Sequence, residues 1–132
     1  MNSVEIEQLL KQYYAAWGTG NPENVIQFFT NNAVFEDLAF GAKFVGIDEI
    51  RSFVVLTYSG VPDFKVEPTQ IVAGDNNSAA ASWVMSGTHI GDLPNLPASQ
   101  KRFEVRASSI ITLKNELIFD IKDYWNPNTF LK

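Results

Sequence analysis

Up to residue 58 the apolar residues of this chain mostly keep a helical beat, and from residue 64 onward they keep a strand beat; this switch constrains the fold more than any other feature. Ile6, Leu9, Leu10, Tyr13 and Trp17 recur at steps of three and four, which lays one apolar stripe along a helix. Asn2 or Ser3 can cap its start, and Gly18 and Gly20 end it. Asn21 and Pro22 open a second helix as cap and first helical residue, and its apolar residues are Val25, Ile26, Phe28 and Phe29. A third helix is expected over residues 47–58, burying Ile47, Ile50, Phe53, Val54 and Thr57. A strand over residues 33–38 and a short extended piece near 43–45 separate the second helix from the third. The strands after Asp63 are expected at 64–73, 79–90, 100–113 and 117–125. Between them lie a turn at 74–77, a proline-containing loop at 91–99 and a turn at 114–116. Pro68 marks the first of these as an edge strand or the site of a bulge.

Helices first and an antiparallel meander after them define an α+β layout. Three amphipathic helices cannot cover both faces of a sheet of four or more strands. The expected solution is a strongly curved antiparallel sheet wrapped around three N-terminal helices as a half-open cone. A length of 132 residues suits one domain, and no repeat, linker or low-complexity stretch divides the chain.

The composition removes several functional classes. The formal net charge is −5 and Lys101-Arg102 is the densest basic pair, so nucleic-acid binding has little electrostatic support. With no cysteine, disulfides, thiol catalysis and thiolate metal sites are excluded. No basic segment followed by an apolar run opens the chain, and no apolar stretch approaches the ~20 residues that span a bilayer. The expectation is a cytoplasmic protein with no membrane partner.

Three strand segments each place one ionisable side chain on a face that otherwise reads apolar. Alternation puts Asp37 beside Phe35. It puts His89 in line with Trp83 and Met85. It puts Asp123 in line with Leu117, Phe119, Ile121 and Trp125. A carboxyl or imidazole aimed at an apolar wall is costly unless partnered or useful, so the three point to a pocket with chemistry in it. Each also has a plainer reading. Asp37 could be a turn aspartate bonded to the backbone of residues 41–43, Asp123 could form a structural ion pair, and His89 could be a satisfied or exposed strand-end side chain. Tyr13 and Tyr14 are adjacent on a helix, which suggests that one faces the core or pocket and the other the rim, with core packing the plainer reading. Trp83 and Trp125 read as wall residues able to stack on a planar ligand. One histidine and two acids at these separations match no metal-ligand spacing.

Three stretches carry a resemblance to the nuclear transport factor two-like superfamily, and within it to the SnoaL-like polyketide cyclases and the ketosteroid isomerases. The first runs from Tyr13 through Gly20, Asn21, Pro22 and Glu23 to Ala33, Val34, Phe35, Glu36 and Asp37. The second is Ser86, Gly87, Thr88, His89, Ile90 and Gly91. The third is Asp123, Tyr124 and Trp125. The resemblance implies a cone-shaped, cystatin-like α+β barrel over the whole chain. It places Asp37 where an isomerase keeps its general base, Tyr13 where it keeps its oxyanion-holding tyrosine, and Ser109 in place of a carboxylic acid held neutral. It places His89 toward the substrate, as in the cyclase branch. Asp123 resembles the first residue of an acid-Tyr-aromatic signature of limonene-epoxide-hydrolase-like members, whose Arg and Asp are absent from Ala81, Ser82, Trp83 and Val84.

The expected activity is cofactor-independent acid/base chemistry, an isomerisation or ring closure begun by removing a proton α to a carbonyl of a small apolar molecule. Asp37 or Asp123 would be the base, and Tyr13 with His89 or Ser109 would hold the enolate. Phe35, Met85, Trp83, Phe119 and Trp125 would line the pocket, with the 91–99 loop as a lid. A non-catalytic binder of a small molecule is the alternative, as is an interaction domain. The outer sheet face carries Val84, Ile90, Ile110, Ile118 and Tyr124 among small polar residues, which predicts a homodimer built through it.

Overall fold

The computed structural model describes residues 1–94 and 96–130. Asn95 in the 91–99 loop and residues 131 and 132 of the expected tail lie outside the described residues. Helix α1 spans Ser3–Ala16 and is followed by one 3-10 turn, Trp17–Thr19. Asn2 and Glu5 close α1 with a capping box, each side chain accepting from the other's backbone N–H at 2.8 and 2.9 Å. Asn21 caps α2 (Pro22–Ile26), which ends before Phe28 and Phe29; Phe29 instead begins β1 (Phe29–Asp37). Strand β2 is Ala42–Val45 and α3 is Ile47–Gly60. Strands β3 (Lys65–Ala73), β4 (Ser78–Thr88), β5 (Arg102–Lys114) and β6 (Leu117–Trp125) follow, and Pro127–Phe130 forms a final helical turn, α4.

The six strands make one curved, unclosed sheet in the order β2-β1-β6-β5-β4-β3. The expectation of an antiparallel sheet needs one correction, since β1 and β6 run parallel. Parallel neighbours require a long crossover, and everything from β2 to β5 supplies it. β3 is an edge strand, and its register shifts between Pro68 and Gln70 where the proline cannot donate.

Strand β5 alternates without a break, with Phe103, Val105, Ala107, Ser109, Ile111 and Leu113 turned inward. β6 does not. Opposite Thr112 and Leu113 of β5 stand Asp120 and Ile118, so Phe119 is an extra residue in the ladder. The bulge reverses the alternation. Ile118 is fully buried rather than on the outer face, while Leu117 and Phe119 leave the face that carries Ile121, Asp123 and Trp125. The Phe119 ring lies under the Lys114 ammonium at 5.2 Å.

Inside the curve, Ile6, Leu10, Tyr13, Tyr14 and Trp17 of the α1 arm and Ile50 and Val54 of α3 pack on the inner strand faces. The packing is dense on the side of Ile111, Ile118 and Ile121. Toward the Asp37 end of the sheet it opens into a cavity.

Candidate functional site

At that end the sheet register sets three polar side chains side by side. Asp37 of β1 pairs with Asp123 of β6, Asp123 with Ser109 of β5, and Ser109 with Ala81 of β4. Asp37, Asp123 and Ser109 are all buried. One step along the strands lies a second row, Trp83, Ala107 and Trp125. The two indoles reach back to the polar row from either side of Ala107. Trp83 Nε1 donates to Ser109 Oγ at 2.8 Å, and Trp125 Nε1 donates to Asp37 Oδ2 at 3.2 Å.

The two aspartates are bonded differently. Asp37 accepts at both oxygens, from the Phe40 backbone N–H at Oδ1 (3.1 Å) and from Trp125 at Oδ2. Two N–H donors suit a carboxylate, which only accepts. Burial raises the pKa of Asp37 above its ordinary value, while the Phe40 and Trp125 bonds pull it back. Asp123 accepts the Ser109 hydroxyl at Oδ1, at 2.6 Å. Burial pushes its pKa up to about 8, helped by the nearby Asp37 and opposed by the Ser109 bond. Among the described residues neither aspartate forms an ion pair, so the reading of Asp123 as half of a salt bridge is not met. The turn reading of Asp37 is met in altered form, at Phe40 rather than at residues 41–43.

Both carboxyls border a cavity of about 390 Å³ whose remaining lining is overwhelmingly apolar. Tyr13, Phe35, Trp83, Met85 and Trp125 line it as expected from the sequence. Ser109 stands behind the wall, bonded to Asp123. Tyr13 and Tyr14 both line the cavity and both are buried, so neither sits at a rim. Burial followed by the proximity of Asp123 holds both phenols above their ordinary pKa. The Tyr14 hydroxyl is buried without a hydrogen-bond partner among the described residues, on the side of Ser109. The Phe40 ring stands edge-on to Trp125 at 5.0 Å and is partly exposed beside Asp37. Leu93, Pro94 and Leu96 of the 91–99 loop complete the lining.

Two expected wall or site residues lie elsewhere. Phe119 is carried out of line by the bulge. His89 is buried beyond the end of β4, where its backbone pairs with Gln100 and Lys101, and it does not line the cavity. The glycines around it have a packing reason. A Cβ on Gly87 would collide with Val61, and one on Gly91 would collide with the backbone carbonyl of Ser59, so the motif fits the β4 end against the end of α3. Tyr14 is among the cavity residues that sequence reasoning undervalued. Tyr14 follows Leu10 by four residues and Ile6 by eight, so the helical stripe could have shown it. Among the described residues no group of three or more His, Cys, Asp or Glu side chains is placed to hold a metal, and no helix is long and apolar enough to cross a membrane.

The curved, unclosed sheet wrapped over its α-layer is the cone fold of the nuclear transport factor two-like superfamily of α+β proteins. Within it, the profile of the SnoaL-like domain matches residues 10–121, and the chain belongs to that family. Solved structures agree on the fold. TsrD from Streptomyces laurentii superposes with a TM-score of 0.85 at 22% identity, covering 98% of this chain and 94% of its own. A protein of ketosteroid isomerase-like fold from Catenulispora acidiphila, solved with trimethylamine, gives 0.82 at 20% identity, with 92% and 88% covered. SalBIII, described as an epoxide hydrolase/cyclase-like enzyme of pyran ring formation in salinomycin, gives 0.80 at 22% identity, with 96% and 94% covered. At such identities the likeness speaks for the fold alone. No curated protein matches the sequence.

Proposed function

We propose that this protein is a cofactor-independent acid/base enzyme that removes a proton α to the carbonyl of a small apolar substrate, leading to isomerisation or ring closure. The observation that carries the reading is the unequal bonding of two adjacent carboxyls in one apolar cavity. Asp37, held at both oxygens by N–H donors, is the base. Its carboxylate takes the α-proton, and the C–H electron pair moves into the carbon skeleton as the carbonyl becomes an enolate. Asp123, neutral below about pH 8, donates to the enolate oxygen together with the Tyr13 phenol. The proton on Asp37 then returns at another carbon, or the enolate carbon attacks a second carbonyl of the substrate to close a ring, the first carbonyl re-forms, and the new alkoxide oxygen takes the proton from Asp37. The roles match environments that push two carboxyl pKa values apart. Ser109 does not touch substrate in this scheme, and His89 takes no part.

The test is solvent deuterium exchange into apolar enolisable ketones from cyclohexanone to 2-tetralone, with the wild type and Asp37→Asn. The reading expects exchange by the wild type and a loss of about 10³-fold in the variant. No exchange by the wild type across the series would leave the alternative, a non-catalytic binder of small apolar molecules, in its place.

A homodimer through the outer sheet face goes with this reading, supported by Ile110 and Tyr124, which stand 51% and 43% exposed on neighbouring strands. Light scattering at micromolar protein should give twice the chain mass; a monomer would end that part. We assign the protein to the cytoplasm on the same footing, and localisation of a tagged chain tests it.

A further inference from the structure

We infer that Trp83 is a positioning residue that, by fixing the direction of the Ser109 hydroxyl, keeps Oδ2 of Asp123 as the oxygen that carries the proton. The inference rests on the proposed role of Asp123 as the neutral donor of the site. It begins with the valence of one hydroxyl. Ser109 has a single proton and two lone pairs. Trp83 Nε1 donates to its oxygen at 2.8 Å, and indole nitrogen can only donate, so that contact has one polarity. The Ser109 proton is thereby turned away from Trp83 and committed to Asp123 Oδ1 at 2.6 Å. When Asp123 is neutral, the oxygen that accepts this bond is its carbonyl oxygen. The acidic proton therefore sits on Oδ2.

The Tyr14 hydroxyl lies on the same side of Ser109 but forms no hydrogen bond with it, so Asp123 is the bonded acceptor of the Ser109 proton. Ser109 is wholly buried and Trp83 is 5% exposed, so bulk water does not reach in to reorient it. The ionisable groups facing Asp123 are Asp37 on β1 and the Tyr13 and Tyr14 phenols on α1, and none brings a positive charge. Asp37 already has two donors of its own. The chain from indole through hydroxyl to carboxyl is the one directional element next to Asp123 among the described residues. Without it a neutral carboxyl can carry its proton on either oxygen.

The experiment is a double-mutant cycle read by 13C NMR titration of the Asp123 carboxyl, which needs no substrate, and by the deuterium exchange rate. The variants are Trp83→Phe, Ser109→Ala and both together. Ser109→Ala should raise the Asp123 titration midpoint, since a bond to its charged form is lost, and should slow exchange about tenfold. Trp83→Phe should move both quantities the same way by a smaller amount, about threefold in rate. In the Ser109→Ala background Trp83→Phe should add almost nothing, because its only path to Asp123 is gone. Additive effects, or an unmoved midpoint in Trp83→Phe, would overturn the inference. Should Trp83→Phe fail to fold, benzothienylalanine placed at position 83 keeps the indole shape without the N–H and answers the same question. Wild-type exchange that is absent while the midpoints still follow this pattern would fault the proposed reaction and leave the inference intact.

Discussion

Asp37 and Asp123 are the same residue type at the same register on neighbouring strands, facing one cavity, and they differ in what holds them. Asp37 ends its strand at a turn, so a backbone N–H is at hand and Trp125 supplies a second donor. Asp123 lies in mid-sheet, where the backbone N–H groups serve the ladders and only a neighbouring side chain, Ser109, can reach it. The comparison teaches that strand position alone can give two carboxyls different hydrogen-bond partners, before any charge from Lys or Arg is involved. Where the pair does interact, the titration steps belong to both groups together.

The sharpest way to break the comparison is to exchange the two roles. Asp37→Asn should cost about 10³-fold in deuterium exchange, while Asp123→Asn, which keeps a weaker donor in place, should cost about 10²-fold. Equal losses would mean that the two carboxyls act alike. The next effect is on stability. The Asp123 pKa is about 8 in the folded chain and 3.8 in the reference state, so the folded form holds the extra proton between those values. Stability should be highest with respect to this group below about pH 4 and fall as pH rises toward 8, by several kcal/mol in all. Denaturant unfolding from pH 5 to 9 should show the decline, and Asp123→Asn should flatten it. The exchange rate should fall over the same upper range, with a midpoint near 8. A smaller effect comes from Trp125→Phe, which removes one of the two donors to Asp37. The rising limb of the rate profile should move to higher pH, because a hydrogen bond to the charged form of Asp37 is lost, and should move further than the limb near 8. The smallest expected change in rate is that of His89→Gln, within about twofold of wild type, together with lower thermal stability for a disturbed buried side chain.

Much of this was legible from local pattern. The caps at Asn2 and Asn21, the helical stripes, the strands after Asp63 and the inward turn of Asp37 and Asp123 follow from residue spacing, because period and capping chemistry are properties of neighbours in sequence. The failures are of longer range. Alternation reads correctly through β6 only if no residue is extra, and nothing in Leu117 to Asp120 signals the bulge that turns Ile118 inward and Phe119 out. Strand order is likewise a global choice, and so the parallel contact of β1 with β6 could not be read from either strand. His89 has the alternation of a pocket residue, yet the strand ends just before it. Ser109 came to notice through family likeness, and its bond to Asp123 depends on cross-strand register. The indole bonds of Trp83 and Trp125 depend on rotamers, which sequence does not fix.

The place of β6 in the sheet carries a consequence for how the protein is made. It lies between β1, from the start of the chain, and β5. Without it the remaining strands separate into a pair, β2-β1, and a triplet, β5-β4-β3, with no ladder joining them. Asp37 would then sit on one piece and Ser109 on the other. During synthesis the acid pair cannot exist until β6 has left the ribosome, so a product stalled or cut before it holds an open half-shell with the two groups of strands unjoined.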